Sequence, residues 1–340
     1  MKQIIRCICL AMLALTVSPA LADPVEDFYR GKQIQLAIGF GTGDGFDTYA
    51  RVLARHMSRH IPGKPPIVVQ NMPGVGSLKA LSYVLNVAPR DGTTFGLMNP
   101  AATVDALFNP EQAGFDPRAI DWIGSMSSDT TTCGFFTRAP VTIEQLRSRQ
   151  HIVGGTAATS GTMRANRVMA SVLGLNFKFV SGYRTLGELT LAAEKGEVEG
   201  FCGLMVSTLK VNFWDRYRSG GLQIPVQAGL ESDPDLPAGI PNALDLAASD
   251  ADRALVRLFA GPWYYGRPFM APPNLPPDRL DALRAAFMAM HKDPAFLDEA
   301  QRIKLNVRPL TGAQVHDAVV KVYETPKDVI ERARPIMGAQ

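Results

Sequence analysis

The residues best placed to do chemistry lie in a glycine-rich loop, 39–47, between an apolar run and a helix-like segment. No GxGxxG register fits this loop, and no Asp or Glu follows from Thr48 to Arg90 to bind a ribose, so a dinucleotide site is excluded. No GxxxxGK[ST] phosphate loop occurs either. Backbone N–H groups at the start of the helix could hold an anion, because the helix dipole favours negative charge there. The alternative is that Asp47 only caps the helix.

Hydroxyl side chains open a second predicted helix, directly after the strand-like run 151–154. Ser160 and Thr162 could cap this helix, or they could face a cleft beside its backbone N–H groups, and both interpretations stay open. A nucleophile elbow is excluded, because GxSxG needs glycine where the chain has Ala158 and Thr162. Asn99 and Tyr183 each follow a predicted strand and could add an amide and a phenolic hydroxyl. Glu199 is the one acidic residue that we expect near the cleft.

Histidine and cysteine do not form a recognisable metal site. His56 and His60 have the i, i+4 spacing of zinc ligands, but arginines crowd the same helix and no carboxylate lies between them. A solvated basic helix face is the favoured interpretation. The other histidines, His151, His291 and His316, fit no nucleophile or metal arrangement, and no CxxC occurs. We therefore predict no metal and no cofactor.

Composition excludes a nucleic-acid groove and indicates export. The 340 residues carry a net charge of +3 without a basic cluster. Lys2 and Arg6 precede an apolar run that is too short for a transmembrane helix, and small residues follow at Ala20 and Ala22. The pattern predicts a cleavable secretory signal over 1–22, a mature chain that begins at Asp23, and a periplasmic location without a lipid anchor.

Two cysteines remain after signal removal, because Cys7 and Cys9 lie within the signal. Cys133 and Cys202 are an even number in a compartment that permits disulfides, so they could pair, and we expect both in one lobe.

Short apolar strands alternate with amphipathic helices along the mature chain, a pattern typical of α/β proteins with mostly parallel sheets. The pattern restarts at His151, which predicts two lobes. Two strand-like stretches, Met126–Phe136 and Leu258–Phe269, are the predicted crossings. This division assigns 23–131 and 262–340 to lobe 1 and 132–261 to lobe 2. Strands are predicted at 33–38, 67–69, 94–98, 151–154, 178–180 and 200–202, and helices at 47–60, 77–85, 162–173, 276–291 and 317–323.

Several segments together resemble the Bug family of periplasmic receptors for tripartite tricarboxylate transporters, over nearly the whole mature length. The first lobe carries 43–51 (GDGFDTYAR), 70–77 (QNMPGVGS) and 88–94 (APRDGTT). The second lobe and the return carry 180–183 (VSGY), 196–203 (GEVEGFCG), 234–237 (PDLP) and 267–273 (RPFMAPP). Each segment is weak alone, but their order and spacing are fairly specific.

The resemblance implies a type II periplasmic-binding-protein fold that closes like a hinge. In the family, the first loop and a helix N-terminus of the second lobe hold the ligand's carboxylate, partly through ordered waters. That role transfers to Gly43, Gly45 and Asp47, and to 159–162. The family usually has Pro-Pro-Gly-Gly where this chain has 41–44, GTGD. If the side chain of Asp44 faces the cleft, its added charge favours a monocarboxylate or a mixed-function acid over a tricarboxylate, and if it faces solvent, dicarboxylates remain allowed.

These observations predict a monomeric solute-binding protein, not an enzyme, that delivers a small organic acid to the permease subunits of such a transporter. A ligand-sensing subunit for a membrane signalling protein and a secreted hydrolase are the alternatives. The hydrolase would need an activated nucleophile with a base in reach. The predicted ligand-binding residues are Gly41, Thr42, Gly43, Asp44, Gly45, Phe46, Asp47, Asn99, Ala158, Thr159, Ser160, Gly161, Thr162, Tyr183, Glu199 and Gly203.

Overall fold

The computed structural model describes residues 23–43, 45–74, 77–156, 160–183 and 185–337. The predicted signal, 1–22, lies outside these residues, as do Asp44, Ala158 and Thr159 of the predicted ligand set. Within the described residues, no helix is long and apolar enough to cross a membrane.

Strands from the first third of the chain and from its last third build one six-stranded sheet. Its order is β11-β4-β10-β3-β1-β2. Its strands are β1 (Ile34–Ile38), β2 (Ile67–Asn71), β3 (Thr94–Leu97), β4 (Asp121–Ser125), β10 (Pro268–Ala271) and β11 (Leu310–Thr311). Strand β1 pairs in parallel with β2 and β3, whereas β10 runs antiparallel to both β3 and β4, and β11 runs antiparallel to β4.

The middle of the chain builds a five-stranded sheet with the order β7-β6-β8-β5-β9. Its strands are β5 (Thr131–Phe135), β6 (His151–Gly155), β7 (Phe177–Ser181), β8 (Gly200–Met205) and β9 (Gln223–Ala228). Strand β6 is parallel to β7 and β8, and β5 is antiparallel to β8 and β9. Every residue of β5 is buried, as expected of a strand covered on both faces.

Helices cover both sheets, and polar N-caps mark where several of them begin. Thr142 forms a capping box with Gln145, and Ser249 accepts a hydrogen bond from Asp252 N. The helices are α1 (Pro24–Tyr29), α2 (Gly45–Met57), α3 (Leu78–Asn86), α4 (Ala101–Phe108), α5 (Pro110–Ala113), α6 (Ile143–Ser148), α7 (Gly161–Leu173), α8 (Leu186–Glu194), α9 (Val206–Thr208), α10 (Trp214–Arg218), α11 (Ala243–Leu246), α12 (Asp250–Tyr264), α13 (Pro277–Met290), α14 (Pro294–Arg302), α15 (Gly312–Tyr323) and α16 (Lys327–Met337). Short 3-10 helices span Ser58–His60 and Pro117–Ala119, and a π-helical turn spans Leu209–Phe213.

Two predictions about the fold are wrong. The sheets are mixed and not mostly parallel, because β5, β9, β10 and β11 add antiparallel pairs. The stretch 258–264 is also helical, not strand-like, since it continues α12. Leu255, Leu258 and Phe259 recur there at helical spacing and are buried, so the apolar run is the inner face of a helix.

The chain passes between the sheets twice, over 126–130 and over 265–267. Helices on the far side of these crossings still share one core with the second sheet. Val104 of α4 and Met337 of α16 belong to the same apolar cluster as Val153 of β6 and Val168 of α7. The division into lobes at 131/132 and 261/262 therefore remains a proposal.

A disulfide joins Cys133 of β5 to Cys202 of β8, with an S–S distance of 1.99 Å. The two residues face each other across an antiparallel pair of strands, and both are buried. The bond therefore lies wholly within the second sheet.

Candidate ligand-binding site

A pocket of about 410 Å³ opens at the edge of the second sheet where β6 and β8 end and β5 begins. Ligands of α/β proteins commonly bind beyond the carboxyl ends of parallel strands. Five threonines line the pocket: Thr131, Thr156, Thr162, Thr185 and Thr208. Its other lining residues are Gly161, Leu186, Gly203, Met205, Phe259 and Trp263. Among the described lining residues, none is ionisable, so hydroxyls, helix dipoles and apolar groups determine the chemistry.

Two helices begin at this pocket with their N-termini directed toward it. Ser160 caps α7 by accepting a hydrogen bond from Met163 N at 3.3 Å, and Thr185 caps α8 by accepting one from Glu188 N at 3.1 Å. Thr162 Oγ1 accepts a hydrogen bond from Thr156 N at 3.1 Å and contacts Ser160 Oγ at 3.0 Å. Each of the two interpretations therefore applies to one residue: Ser160 caps the helix, and Thr162 lines the pocket.

Gly203 lets β8 pass close to the start of α7. Its φ is +92°, a conformation that side chains disfavour, and an added Cβ would lie 2.9 Å from Thr162 Cα. Glycine at this position therefore determines how closely the strand end approaches the helix N-terminus. Gly161, Thr162 and Gly203 are the described residues of the predicted set that the structure brings together at the pocket.

Thr131 is a pocket residue that the sequence did not single out. It is only 2% exposed, and its Oγ1 has no hydrogen-bond partner among the described residues. A buried hydroxyl without a partner costs about 1–3 kcal/mol, which makes Thr131 a candidate ligand contact in the wall of the pocket. A pocket of about 400 Å³ between α12 and α15 contains no such group, and charged residues line it, among them Arg257, Asp317 and Lys321.

The first loop is held together by Asp47. This buried carboxylate accepts hydrogen bonds from Gly43 N at 2.8 Å, Arg51 Nε at 2.9 Å and Asn71 Nδ2 at 2.9 Å. Burial alone would raise the pKa of Asp47, but these donors outweigh it and lower the pKa to about 2. Asp47 is the third residue of α2, and its side chain anchors the loop that precedes the helix. The described loop residues do not line the pocket.

Replacing Asp47 with alanine should destabilise the protein by about 1–2 kcal/mol, because three donors lose their acceptor and Arg51 is itself partly exposed. The folded-state pKa of Asp47 is depressed from 3.8 to about 2, so its contribution is present above about pH 4 and is lost as the pH falls toward 2. Urea unfolding at pH 7 and pH 3 measures both effects. The matched control is Asp281→Ala, which removes an exposed carboxylate of α13 and should change stability by less than about 0.5 kcal/mol. Equal losses in the two variants would contradict the anchoring role.

An aromatic platform follows the first loop. The Phe40 and Phe46 rings stack at 3.8 Å, and the Arg267 guanidinium lies 4.1 Å from the Phe46 ring centroid and 4.9 Å from that of Tyr49. Arg267 lies in the second crossing, where its backbone N–H donates to Ser125 Oγ at 3.1 Å. The sequence indicated no cation beside this loop, although Arg267 opens the segment 267–273 that resembles the Bug family.

Two more predicted residues lie near strand ends without lining the pocket. Asn99 Oδ1 accepts a hydrogen bond from Ala101 N at 3.0 Å, so this oxygen is already hydrogen-bonded to the first residue of α4. The Tyr183 ring packs beside Gly154 within the apolar cluster under α8. Burial, and then the nearby charge of Glu197, raise the pKa of Tyr183. Its half-buried ring therefore packs against the apolar core of the second sheet.

The prediction that Glu199 lies near the ligand is wrong. Its carboxylate pairs with Arg149 at 2.9 Å and His151 Nδ1 at 2.9 Å, and accepts a hydrogen bond from Ile152 N at 3.2 Å. These groups lie at the amino ends of β6 and β8, whereas the pocket lies at their carboxyl ends. A charged residue just before a parallel strand reaches the wrong edge of the sheet for ligand binding.

The predicted histidine pair, His56 at the end of α2 and His60 in the 3-10 helix that follows, faces another helix. His56 Nε2 lies 2.6 Å from Glu299 Oε2, and His60 Nε2 lies 2.9 Å from Asp293 Oδ2, so each imidazole has its own carboxylate near α14. The predicted solvated basic face is therefore a helix–helix contact. In the part of the chain that the structure describes, no group of three or more His, Cys, Asp or Glu residues could hold a metal ion.

Solved periplasmic binding proteins share this fold over nearly the whole chain. A TctC solute-binding protein from Polaromonas is 15% identical with a TM-score of 0.71, covering 92% of this chain and 100% of its own. The periplasmic binding protein BugD is 17% identical with a TM-score of 0.59, covering 92% and 99%. An R. palustris protein with adipate is 17% identical with a TM-score of 0.60, covering 91% and 98%.

No protein-family model matches the chain, and no curated protein matches it. At 15–17% identity, the structural likeness shows the fold alone. It confirms the predicted periplasmic-binding-protein fold, and its TctC and Bug neighbours are of the group that the sequence resembles.

Proposed function

We propose that this chain is an exported solute-binding protein that captures a small carboxylate-bearing ligand between two closing lobes and delivers it to a membrane permease. The observation that carries this proposal is the threonine-lined pocket, where two helices begin and the buried Thr131 hydroxyl has no partner among the described residues. The fold supports it, since the structural neighbours with this fold include solute-binding proteins, and one is described with a dicarboxylate, adipate.

A carboxylate is the ligand group that this pocket suits best. Helix N-termini present unsatisfied N–H groups and positive dipole ends, which stabilise an anion by about 0.3–1 kcal/mol each and more where they are partly buried. Threonine hydroxyls can donate further hydrogen bonds to the carboxylate oxygens. The pocket lining offers no nucleophile beside a general base among its described residues, so its chemistry suits binding and not the alternative hydrolase.

Closure would bring the first loop and the aromatic platform of Phe40 and Phe46 toward the pocket. Four described residues of this loop are exposed and so are available for contact on closure: Gly41, Thr42, Gly43 and Gly45. The segments 126–130 and 265–267 would be the hinges, because hinge motion concentrates its dihedral changes in a few crossing residues.

Binding of a carboxylate should raise the melting temperature by mass action. At a concentration 100 times its Kd, a ligand stabilises the folded state by about 2.7 kcal/mol, which corresponds to a shift of several degrees. The measurement is thermal unfolding with a panel of small carboxylates, with their neutral amides as matched controls. A panel in which no carboxylate shifts the melting temperature, or in which amides bind equally well, would refute the proposal.

Thr131→Val tests the pocket itself, because valine keeps the shape of threonine and removes the unpartnered hydroxyl. We expect the melting temperature of the free protein to hold or rise, while affinity for the best carboxylate falls by about 1–2 kcal/mol, or roughly tenfold. The control is Thr132→Val in the same strand, since Thr132 Oγ1 donates to Leu204 O at 2.9 Å. That variant should lose stability and keep its affinity, and the reverse pattern would contradict the assignment.

Export is tested by the intact mass of periplasmic material, which should correspond to a chain that begins at Asp23 and carries no lipid.

A further inference from the structure

We propose that the ligand is a monocarboxylate with an apolar body, bound with its carboxylate among the threonines and its body against the wall formed by Trp263, Phe259, Met205 and Leu186. This inference rests on the proposed function and narrows it from carboxylates in general to one class of acid.

The first step concerns how much negative charge the pocket can hold. The α7 and α8 N-termini and the threonine hydroxyls compensate one carboxylate through dipoles, without a formal positive charge among the described lining residues. A second carboxylate on the same ligand would lose its hydration with no further compensation from the described lining residues. An unpaired charge in such surroundings is far more costly than an unpaired dipole.

The second step concerns what lies beside the threonines. Phe259 is buried, and Leu186, Met205 and Trp263 are half-buried, so three of the four apolar side chains keep surface that a ligand can cover. Burial of apolar surface contributes about 25 cal/mol per Å², and aromatic rings supply the largest areas. A ligand whose body is a saturated chain or a ring therefore gains more binding free energy from contact with this wall than a ligand with a polar body.

The third step concerns an acidic residue beside the pocket. Asp129 precedes β5, and its N–H donates to Trp263 O at 2.9 Å. Its Oδ1 accepts a hydrogen bond from Ser207 N at 3.2 Å, and Ser207 is the chain neighbour of the pocket residue Thr208. A second carboxylate on a ligand that extended past Trp263 would come close to this acidic group. An apolar end of the same length would bring no second acidic group to it.

Arg267 does not supply a second anion site within the pocket. Its Nη1 donates to Gly266 O at 2.8 Å while the guanidinium packs over Phe46 and Tyr49, and it is not among the lining residues.

The test compares hexanoate, adipate and hexanamide by isothermal titration calorimetry. Hexanoate and adipate share a six-carbon chain and differ only in the second carboxylate, and hexanamide removes the first charge. We expect hexanoate to bind at least about tenfold more tightly than either of the others. Adipate binding as tightly as hexanoate would overturn this inference and leave the proposed function intact. Failure of hexanoate and adipate alike, with hexanamide bound, would overturn both.

Variants locate the apolar body. Trp263→Ala should weaken hexanoate binding by at least about tenfold and leave the weaker adipate binding within about threefold. The matched control is Trp214→Ala, which removes a half-buried tryptophan of α10 that packs on Tyr217 away from the pocket, and it should leave both affinities unchanged. Because Trp263→Ala could loosen the fold, its melting temperature is measured and Trp263→Phe is tested beside it. Retention of hexanoate affinity in a folded Trp263→Ala protein would overturn the assignment.

Discussion

Reduction of the Cys133–Cys202 disulfide should lower the free energy of unfolding by about 2–4 kcal/mol. The bond closes a loop with a sequence separation of 69 residues, and a cross-link of this length removes much conformational entropy from the unfolded chain. Strands β6 and β7, the first half of β8 and helices α6, α7 and α8 lie within the loop, so the bond restricts the unfolded form of much of the second sheet. Urea unfolding with and without reductant measures the effect.

A Cys133→Ala/Cys202→Ala variant separates the cross-link from the packing of the two buried side chains. The variant should lose the cross-link contribution and a further cost for the cavities that alanine leaves. It should also be insensitive to reductant, unlike the unmodified chain. Two free thiols in non-reduced protein, or equal stability with and without reductant, would contradict the disulfide.

Arg308→Met should destabilise the protein by about 3 kcal/mol or more. Arg308 donates two hydrogen bonds to Asp233, at 2.6 and 2.9 Å, and the Asp233 side chain is 1% exposed. Removal of the arginine leaves a buried carboxylate unpaired, and breaking such pairs costs about 3–5 kcal/mol. The pair joins the segment after β9 in the second sheet to the segment before β11 in the first. Thermal and urea unfolding report the loss.

The same arginine provides its own control, since it also pairs with Asp235, which is 36% exposed. Asp235→Ala should cost no more than about 1 kcal/mol, because water solvates an exposed partner once it is unpaired. The double variant Arg308→Met/Asp233→Asn should recover part of the single-variant loss, because asparagine has no charge to leave unpaired. Equal costs for Asp233→Ala and Asp235→Ala would show that burial does not determine the strength of this contact.

Sequence patterns predicted the fold where local residues determine the structure. The apolar run 34–38, the helix 45–57 and the capped helix 161–173 each carry their own periodicity and caps, so each was found to within two or three residues. The run 258–264 was misread because it is short and apolar, and periodicity alone does not separate a buried helix segment from a strand. The order of strands depends on contacts between distant residues, so the antiparallel insertion of β10 gave no local signal.

The candidate site was predicted in part for the same reason. Gly161 and Thr162 open α7 and Gly203 lies in β8, and the local composition marks a helix start and a strand at these positions. Thr131 is an ordinary β-former in an apolar strand, and only the structure shows that its hydroxyl has no partner among the described residues. Glu199 was predicted near the cleft because it directly precedes a strand, but the sequence alone does not show at which edge of a sheet such a residue lies.

The position of β10 has a consequence for how the chain folds. Strand β10 lies between β3 and β4, and it pairs Met270 with Gly96 and with Trp122. Until residue 271 has been synthesised, β3 and β4 each present an unpaired edge to other strands, and the first sheet is divided in two. The entropy of closing so long a loop must be overcome before these pairings form, which slows folding. The second sheet, whose strands all lie between 131 and 228, can form first, and β10 can then insert between β3 and β4.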